Sequence, residues 1–374
     1  MTDAPGGPTD LVCTLSFFSG YACRERGACC TAGWPIPIER EPLARVRRAL
    51  TDGLLHPASR TSDLFVVSPD APDDAPALVA CTSTGCVFHR ADAARARCEL
   101  QRTLGVAALP HACRQFPRVV VAAPNRLSVT LSAFCPTVTE LLHDDVEPAI
   151  VARSRAEGEV LTGLDTTGGL PPALRPDMLM SWEAWWRWEA AAIRVIRDAG
   201  TSAEAIARLS IAVERVRGWH PADGNLEERI DTAFAPLTSC LPPTGDAPPT
   251  LPDIDTVVDG LVGCVPGPFQ QTAHEALMRR GRPVRDDVRR RLLAAHAFAN
   301  WTAHLGEGLR TWLRSIASVH VLLEGGIAPR DVDLVLRHLA DPAALARRWR
   351  GVEAPPPALR QRARRAVKAP SDPE

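Results

Sequence analysis

Hydrophobic positions follow a helical period in the second part of the chain. From residue 177 to residue 352, apolar side chains recur every three or four positions, which is typical of helices that bury one face. Thr201 and Glu204 have the spacing of a capping box, and Gly218 and Gly325 stand where helices are expected to end. The predicted helices span residues 176–199, 201–218, 226–237, 269–280, 285–300, 308–323 and 331–339.

Residues 11–151 show no such period. This part consists of short apolar runs, turn residues and many cysteines. Two β-branched runs flank Pro124-Asn125 and predict a hairpin of strands 118–123 and 126–132. Short helices are predicted at 39–50, 91–104 and 137–143. The pattern predicts the α+β class: a loop-rich cysteine-cluster domain with a hairpin and short helices, followed by a mostly α-helical domain.

Two further segments mark the domain organisation. Between residues 157 and 176 lie four glycines and three prolines, so residues 152–176 are predicted to be a linker between domains 11–151 and 177–352. The chain is strongly basic from residue 347 onward, and the segment 353–374 is the last part of this basic stretch. It is predicted to be a disordered, solvated tail, since no aromatic residues interleave its arginines as in a nucleic-acid-binding platform.

Composition and charge exclude several classes of protein. The 374 residues include 43 basic and 44 acidic side chains, and 45% are apolar, which argues against global disorder and against a wholly basic surface. Nucleic acid is therefore not expected as a partner. The first ten residues have no basic segment followed by an apolar one, and no run reaches about 18 apolar residues. We expect a cytoplasmic protein without a membrane partner.

Cysteines are concentrated in the first part of the chain. Nine of the eleven lie within residues 13–135, and the other two are Cys240 and Cys264. Thiols in a reducing compartment seldom persist as structural disulfides, so this density favours a metal-binding domain. A disulfide framework or scattered core thiols is the alternative. Cys240 and Cys264 border proline-rich loops and are interpreted as structural.

The spacing of the cysteines argues against a zinc knuckle. Cys29 and Cys30 are adjacent, and adjacent side chains point in different directions on a regular backbone, so both are poor candidates for one tetrahedral ion. A multinuclear cluster or two separate sites fits better. No pair has the two-residue spacing of a zinc ribbon or finger.

Five sequence blocks resemble a known family. They are Cys23-Arg-Glu-Arg-Gly-Ala-Cys29-Cys30 with the following Gly33-Trp34, Cys86-Val-Phe, Arg97-Cys98, Cys113-Arg-Gln-Phe-Pro-Arg118 and Ser132-Ala-Phe-Cys135-Pro136. Together they resemble the zinc- or iron-chelating (YkgJ-like) cysteine-cluster family, and within it the flagellin lysine N-methylases. The resemblance covers roughly residues 11–145. Arg26 departs from the family pattern, which has a cysteine at that position.

The resemblance implies an iron–sulfur cluster, and in the methylase branch a methyl transfer from S-adenosylmethionine to lysines of a protein substrate. Four thiolates match the ligand number of a [4Fe-4S] cluster. Zinc is the alternative metal, and Cys13 or Cys81 is an alternative ligand in place of Arg26. The metal ligands expected from the motifs are Cys23, Cys29, Cys30, Cys86, Cys98, Cys113 and Cys135.

Three arginines and two histidines accompany these cysteines. Arg114 and Arg118 flank Cys113 and are candidates to hydrogen-bond cluster sulfurs or to offset thiolate charge, the alternative being plain surface arginines. Arg26 is a candidate to bind the carboxylate of the methyl donor. His89 and His111 carry no ligand motif, so solvent-facing or supporting roles are expected for them.

Two functions of different class remain open from the sequence. One is an iron–sulfur-dependent protein-lysine N-methyltransferase. The other is a non-catalytic zinc or iron–sulfur module that carries a helical interaction domain. The tryptophans within 182–188 are expected to form a helix–helix core, with a substrate or cofactor shelf as the alternative, and His296, His304 and His320 are expected to be structural.

Overall fold

The structure is a computed structural model, and it describes most of the chain. The described residues are 11–31, 36–57, 64–66, 77–82, 85–91, 96–156, 159, 161, 170–237 and 251–339. The predicted basic tail 353–374, Cys240 and the motif residues Gly33-Trp34 lie outside the described residues, as does much of the predicted linker.

Short strands dominate the first part of the chain. The strands are β1 (Leu11–Leu15), β2 (Ile36–Ile38), β3 (Phe65–Val66), β4 (Ala77–Val79), β5 (Cys81–Thr82), β6 (Gly85–Cys86), β7 (His89–Ala91), β8 (Ala96–Cys98), β9 (Arg118–Ala123), β10 (Arg126–Leu131), β11 (Ile150–Ser154), β12 (Ala173–Arg175) and β13 (Met178–Leu179). The hairpin β9–β10 confirms the predicted one.

Helices dominate the second part. They are α1 (Arg40–Thr51), α2 (Glu99–Leu104), α3 (His111–Gln115), α4 (Pro136–Leu141), α5 (Trp182–Asp198), α6 (Ser202–Arg217), α7 (Leu226–Phe234), α8 (Ile254–Val262), α9 (Gly267–Met278), α10 (Asp286–Ala297), α11 (Leu309–Glu324) and α12 (Pro329–Leu336). The predicted α+β class is thereby confirmed.

The chain divides into two compact units. The cysteine unit consists of the described residues within 20–119 and 132–140, and the helical unit of those within 1–19, 120–131 and 141–374. The segments 11–19 and 120–131 belong to the helical unit, where β1 pairs in parallel with β10 and antiparallel with β11 in the strand order β11-β1-β10-β9. The predicted boundary after residue 151 stays a prediction.

Helix α11 is the centre of the helical unit. Its side chains are buried over nearly its whole length, and it packs against α6, α8, α10 and α12. Trp188 of α5 meets Trp312 of α11 edge to face, with the ring centroids 5.4 Å apart, and both side chains are fully buried. Such pairs add directional contact to the burial of large apolar area. The periodic apolar stripes of the sequence thus form one helical core.

The cysteine unit has its own smaller core. Buried side chains from α1, β2, β4, the β6–β7 turn and α2 meet there, among them Val46, Val79 and Phe88. Cys86 and Cys98 pack against the edge of this core. The apolar cluster therefore fixes the strands that carry these two cysteines.

Three predicted helices differ from the structure. Ala91 and Ala96–Cys98 are strand and not helix, because β7 and β8 pair with each other. Helix α2 begins only at Glu99, whose N–H donates to the Phe88 carbonyl oxygen at 2.8 Å. Helix α5 begins at Trp182, since the β12–β13 pair precedes it. Helix α10 ends at Ala297, because Phe298 is extended and Ala299 has φ 50°.

Helix caps explain several boundaries. Thr201 accepts from the Glu204 N–H at 3.1 Å, as the predicted capping box requires, but the Glu204 carboxylate accepts from Gly200 N–H at 2.8 Å instead of closing the box on Thr201. Gly218 and Gly325 are the C-caps of α6 and α11, as predicted. Helix α8, which the sequence interpretation missed, begins after Asp253, whose side chain accepts from the Thr256 N–H.

Candidate metal centre

Five cysteines of the cysteine unit lie close enough together for their charges to interact. Negative charge at Cys29, Cys86 and Cys98 raises the pKa of neighbouring thiols, including that of Cys113. Cys29 and Cys30 are also in direct contact, with their Sγ atoms 3.9 Å apart. We call this set the five-thiol group: Cys29, Cys30, Cys86, Cys98 and Cys113.

Backbone contacts bring Cys30 and Cys86 together. The Cys86 N–H donates to the Cys30 carbonyl oxygen at 2.7 Å. Gly85, which precedes Cys86, has φ 119°, and a Cβ there would lie 2.5 Å from the Cys30 carbonyl oxygen. Only glycine permits this approach. In the β5–β6 pair, Cys81 lies directly opposite Cys86, so their side chains share a face.

Two short helices carry the other members of the five-thiol group: Cys98 precedes α2, and Cys113 lies within α3. Cys98 is the last residue of β8 and the N-cap of α2, so pairing with β7 fixes its backbone. Cys113 lies on α3, whose first residue His111 donates its N–H to the Glu39 carboxylate at 3.1 and 3.3 Å. The loop-rich unit thus holds its thiols through specific tethers.

The thiols of the five-thiol group have shifted ionisation. A hydrogen bond from Cys30 lowers the pKa of Cys29 to about 7, and the same bond, with loss of hydration and nearby thiolate charge, raises the pKa of Cys30. Loss of hydration, followed by the charges of Cys98, Cys81 and Cys29, raises the pKa of Cys86 to about 11. Loss of hydration and three neighbouring cysteines likewise raise the pKa of Cys113.

The raised pKa values of Cys30, Cys86 and Cys113 mean that these thiols do not all ionise together in the absence of a cation. Several thiolates in one place repel each other, and a bound cation removes that repulsion and favours the thiolate form. Thiolates are the ligands that thiophilic metals prefer. Within the described ranges, however, no group of three or more His, Cys, Asp or Glu side chains could hold a metal ion.

Two other predicted ligands form a separate set. Cys135 Sγ lies 3.9 Å from the hydroxyl of Tyr21, and Arg118 stacks over the Tyr21 ring at 5.8 Å. Burial, followed by the charges of Cys135 and Cys23, raises the pKa of Tyr21. Cys23 and Cys135 thus share the surroundings of Tyr21, the single tyrosine of the chain. The sequence interpretation did not single out Tyr21, and its position two residues before Cys23 was the signal that could have identified it.

The predicted arginines have different surroundings. Arg26 pairs with Glu140 at 2.9 Å, and Arg24 pairs with the other oxygen of the same carboxylate at 2.5 Å. All three side chains are partly exposed. Arg118 contacts Tyr21, whereas Arg114 lies exposed in the last turn of α3. Two guanidinium groups thus share the Glu140 carboxylate, and Glu25 lies between them in sequence.

The remaining described cysteines are more dispersed. Cys13 is buried in β1 of the helical unit, where burial raises its pKa. Cys81 is exposed and lies opposite Cys86. Cys264 is buried and donates to the Gly260 carbonyl oxygen at 3.0 Å, which gives it a structural role at the end of α8.

The low pKa of Cys29 predicts selective alkylation. In metal-free protein, the rate of iodoacetamide modification at Cys29 should rise through a midpoint near pH 7, because a group whose pKa is depressed to about 7 is a thiolate above that pH. Peptide mass spectrometry over a pH series measures it. Cys30→Ala removes the hydrogen-bond donor and should move the midpoint up towards the ordinary thiol value. An unchanged midpoint in that variant would contradict the assigned cause.

His320 of the helical unit has two polar partners, but the three side chains do not form an active site. Ser202 Oγ lies 2.9 Å from His320 Nδ1, and His320 Nε2 lies 3.2 Å from Glu324, an order that resembles a catalytic triad. Ser202 is fully buried at the start of α6, and its hydroxyl donates to Asp286 at 2.6 Å. A substrate cannot reach this oxygen, so the contact holds helices together, as expected for a structural histidine.

The tryptophans of α5 divide between core and surface. Trp185 and Trp188 are buried, which agrees with the expected helix–helix core. Trp182 and Trp186 are half-buried and stack at 6.1 Å, and Trp182 and Trp185 flank the ring of His304. Desolvation lowers the pKa of His304 to about 4, so this imidazole is neutral near pH 7.

In the part of the chain that the structure describes, no helix is both long and apolar enough to cross a bilayer.

Comparison with known proteins gives one partial similarity. The chain is 26% identical over 147 residues to the Flagellar biosynthetic protein FliU of Salmonella muenchen, which covers 37% of this chain and 77% of that protein. No protein-family model matches the chain. No solved structure matches it. The similarity covers only part of the chain, and it hints at the flagellar branch of the family that the cysteine motifs resemble.

Proposed function

We propose that the protein is an S-adenosylmethionine-dependent protein-lysine N-methyltransferase whose cysteine unit holds an iron–sulfur cluster of the [4Fe-4S] type. The observation that supports the metal centre is the five-thiol group, in which the charges of cysteines from segments far apart in sequence act on one another. The methyl transfer is supported by the partial similarity to FliU and by the motif resemblance.

The donor set favours a cluster over a single zinc ion. A tetrahedral zinc ion takes four ligands, and the five-thiol group offers one cysteine more than that. A [4Fe-4S] cluster also takes four cysteines, but its irons lie apart and accept thiolates from different directions. When bound, a cluster with one open iron supplies a place for the amino and carboxyl groups of the methyl donor.

Arg26 has the position and charge to bind the donor carboxylate. Its guanidinium group is partly exposed, and Glu140, with which it pairs, is shared with Arg24. Arginine binds carboxylates through two parallel hydrogen bonds, which fixes orientation as well as affinity. In the reaction, the substrate lysine Nζ bonds to the methyl carbon while the methyl–sulfur bond breaks, and the amine releases one proton. The products are methyl-lysine and S-adenosylhomocysteine.

Calorimetry on cluster-loaded protein tests the proposal. Anaerobically purified protein should contain iron together with acid-labile sulfide and should bind S-adenosylmethionine. Arg26→Ala should weaken that binding about tenfold, the usual size of a lost charge-assisted contact. Arg45→Ala is the matched control, because Arg45 is a partly exposed arginine of the same unit that pairs with Glu41 on α1. Its donor affinity should be unchanged.

The opposite results separate the two candidate functions. Protein that carries an intact cluster, or stoichiometric zinc, and gives no heat of donor binding would leave only the non-catalytic metal module. Equal affinity in Arg26→Ala and Arg45→Ala would contradict the role of Arg26 while leaving the methyl transfer standing.

A further inference from the structure

His89 lies beside Cys98 because of strand pairing. In the antiparallel β7–β8 pair, His89 is directly opposite Cys98, followed by Arg90 opposite Arg97. Directly opposed side chains lie on the same face of such a pair, with Cβ atoms about 4.5–5.5 Å apart. The imidazole therefore stands next to a thiol of the five-thiol group.

The Nε2 atom of His89 is buried and has no hydrogen-bond partner in the described part of the chain. Buried polar side-chain atoms nearly always have a partner in folded proteins. A neutral imidazole nitrogen is also the commonest nitrogen ligand of metals in proteins. The atom thus points to a bound ion as its partner.

The nearest acidic side chain does not serve His89 instead. Glu99, which follows Cys98, is buried, and its carboxylate accepts from Arg102 at 2.7 Å and pairs with Arg90 at 3.3 Å. Arg90 further donates to the carbonyl oxygen of His56. These contacts engage the Glu99 and Arg90 side chains, and neither side chain is a hydrogen-bond partner of the His89 Nε2 atom.

We infer that His89 is a metal ligand of the cysteine unit, binding through Nε2 next to the Cys98 thiolate. This inference rests on the proposed metal centre. A neutral imidazole in place of a thiolate lowers the negative charge of the ligand set, and on an iron–sulfur cluster it raises the reduction potential. The sequence interpretation expected a solvent-facing or supporting role for His89, because no spacing motif identifies it.

Pulsed electron paramagnetic resonance tests the assignment on the full-length protein. The protein is reconstituted anaerobically with ferrous iron and sulfide and then reduced with dithionite. We expect hyperfine coupling to a directly bound imidazole nitrogen, which changes its isotope pattern when histidine is labelled with ¹⁵N. If the protein takes up zinc instead, X-ray absorption should give a nitrogen at about 2.0–2.1 Å in addition to sulfur at about 2.3 Å.

Variants separate ligation from a structural role. His89→Ala should lose the nitrogen coupling and at least about tenfold in metal affinity, a loss that even outer-shell partners can cause. His89→Cys should keep the metal while losing the coupling. His56→Ala, which removes an exposed histidine of the same unit, should change neither.

Each remaining outcome counts against the inference. Metal-loaded protein without nitrogen coupling, or with the same coupling in His89→Ala, overturns the His89 assignment and leaves the metal centre intact. Protein that binds neither iron nor zinc overturns both the metal centre and the ligand.

Discussion

Replacement of Cys113 by serine is expected to lower the metal content of the protein at least about tenfold and to destabilise the cysteine unit. Cys113 belongs to the five-thiol group, and the charges of Cys98, Cys86 and Cys29 act on its thiol. Cys113 is not one of the buried core side chains, so the substitution removes a proposed ligand without opening a cavity in the core. In a site built from short segments, the free energy of metal binding is also free energy of folding.

Metal and sulfide analysis, together with circular dichroism, measures this effect. The variant should unfold its cysteine unit at lower denaturant concentration while the helical unit keeps its far-ultraviolet signal. Cys264→Ser is the matched control, since that thiol lies in the helical unit and donates to the Gly260 carbonyl oxygen. If both variants kept their metal, or both lost it, the separation of ligand from structural cysteines would be wrong.

The helical half of the fold could be predicted from sequence because its information is local. A 3.6-residue period, Thr201 before α6 and Gly325 after α11 each act within one turn of a helix. Helix α8 carried a comparable signal, an aspartate at the N-cap followed by Val257, Val258 and Leu261, but it lay at the edge of a proline-rich stretch. The sequence therefore contained the signal for α8, and the failure to predict this helix was an error of interpretation.

The sheet and the unit boundary depend on contacts between distant segments. The register of β1 beside β10 joins Cys13 to Ser128, and no spacing along the chain encodes such a pairing. The same holds for Ala91 and Ala96–Cys98, which lie in a predicted helix but form strands β7 and β8 because these two segments pair with each other. The pairing of β1 with β10 and β11 likewise brings distant segments into one unit.

The candidate site could be predicted only in part, because it too depends on contacts between distant segments. The motifs identified the cysteines, and their adjacency at residues 29 and 30 already favoured two sites or a multinuclear cluster. They did not show that Cys23 and Cys135 share Tyr21, while Cys86 and Cys98 lie with Cys29. Strand register also placed His89 opposite Cys98, which sequence spacing does not reveal.

A buried ion pair in the helical unit was likewise invisible in the sequence. Arg126 of β10 and Glu189 of α5 are 63 positions apart, yet their charged groups pair with both side chains almost fully buried. Glu189 also accepts from the Ala299 N–H at 2.8 Å. Arg126 stacks near Phe298 at 5.5 Å. The pair joins the sheet to α5 and to the segment after α10.

Glu189→Gln is expected to destabilise the helical unit by about 3–5 kcal/mol, because it leaves the Arg126 charge buried without a counter-charge. The amide oxygen of glutamine can still accept from Ala299, so the loss reports the charge and not the backbone contact. The double variant Arg126→Met, Glu189→Gln should recover part of this loss, since no buried charge remains. Chemical denaturation of the three proteins measures the coupling.

An exposed pair on the same helix supplies the comparison. Arg187 of α5 pairs with Asp231 at 2.6 Å, with about half of each side chain exposed. Arg187→Met should cost less than about 1 kcal/mol, because water already screens that pair. If Glu189→Gln cost no more than Arg187→Met, the Arg126 guanidinium would have to be reaching water in solution. The sheet would then be joined to α5 by apolar contact alone, and the large penalty would fall instead on variants of Phe298, the aromatic neighbour of Arg126.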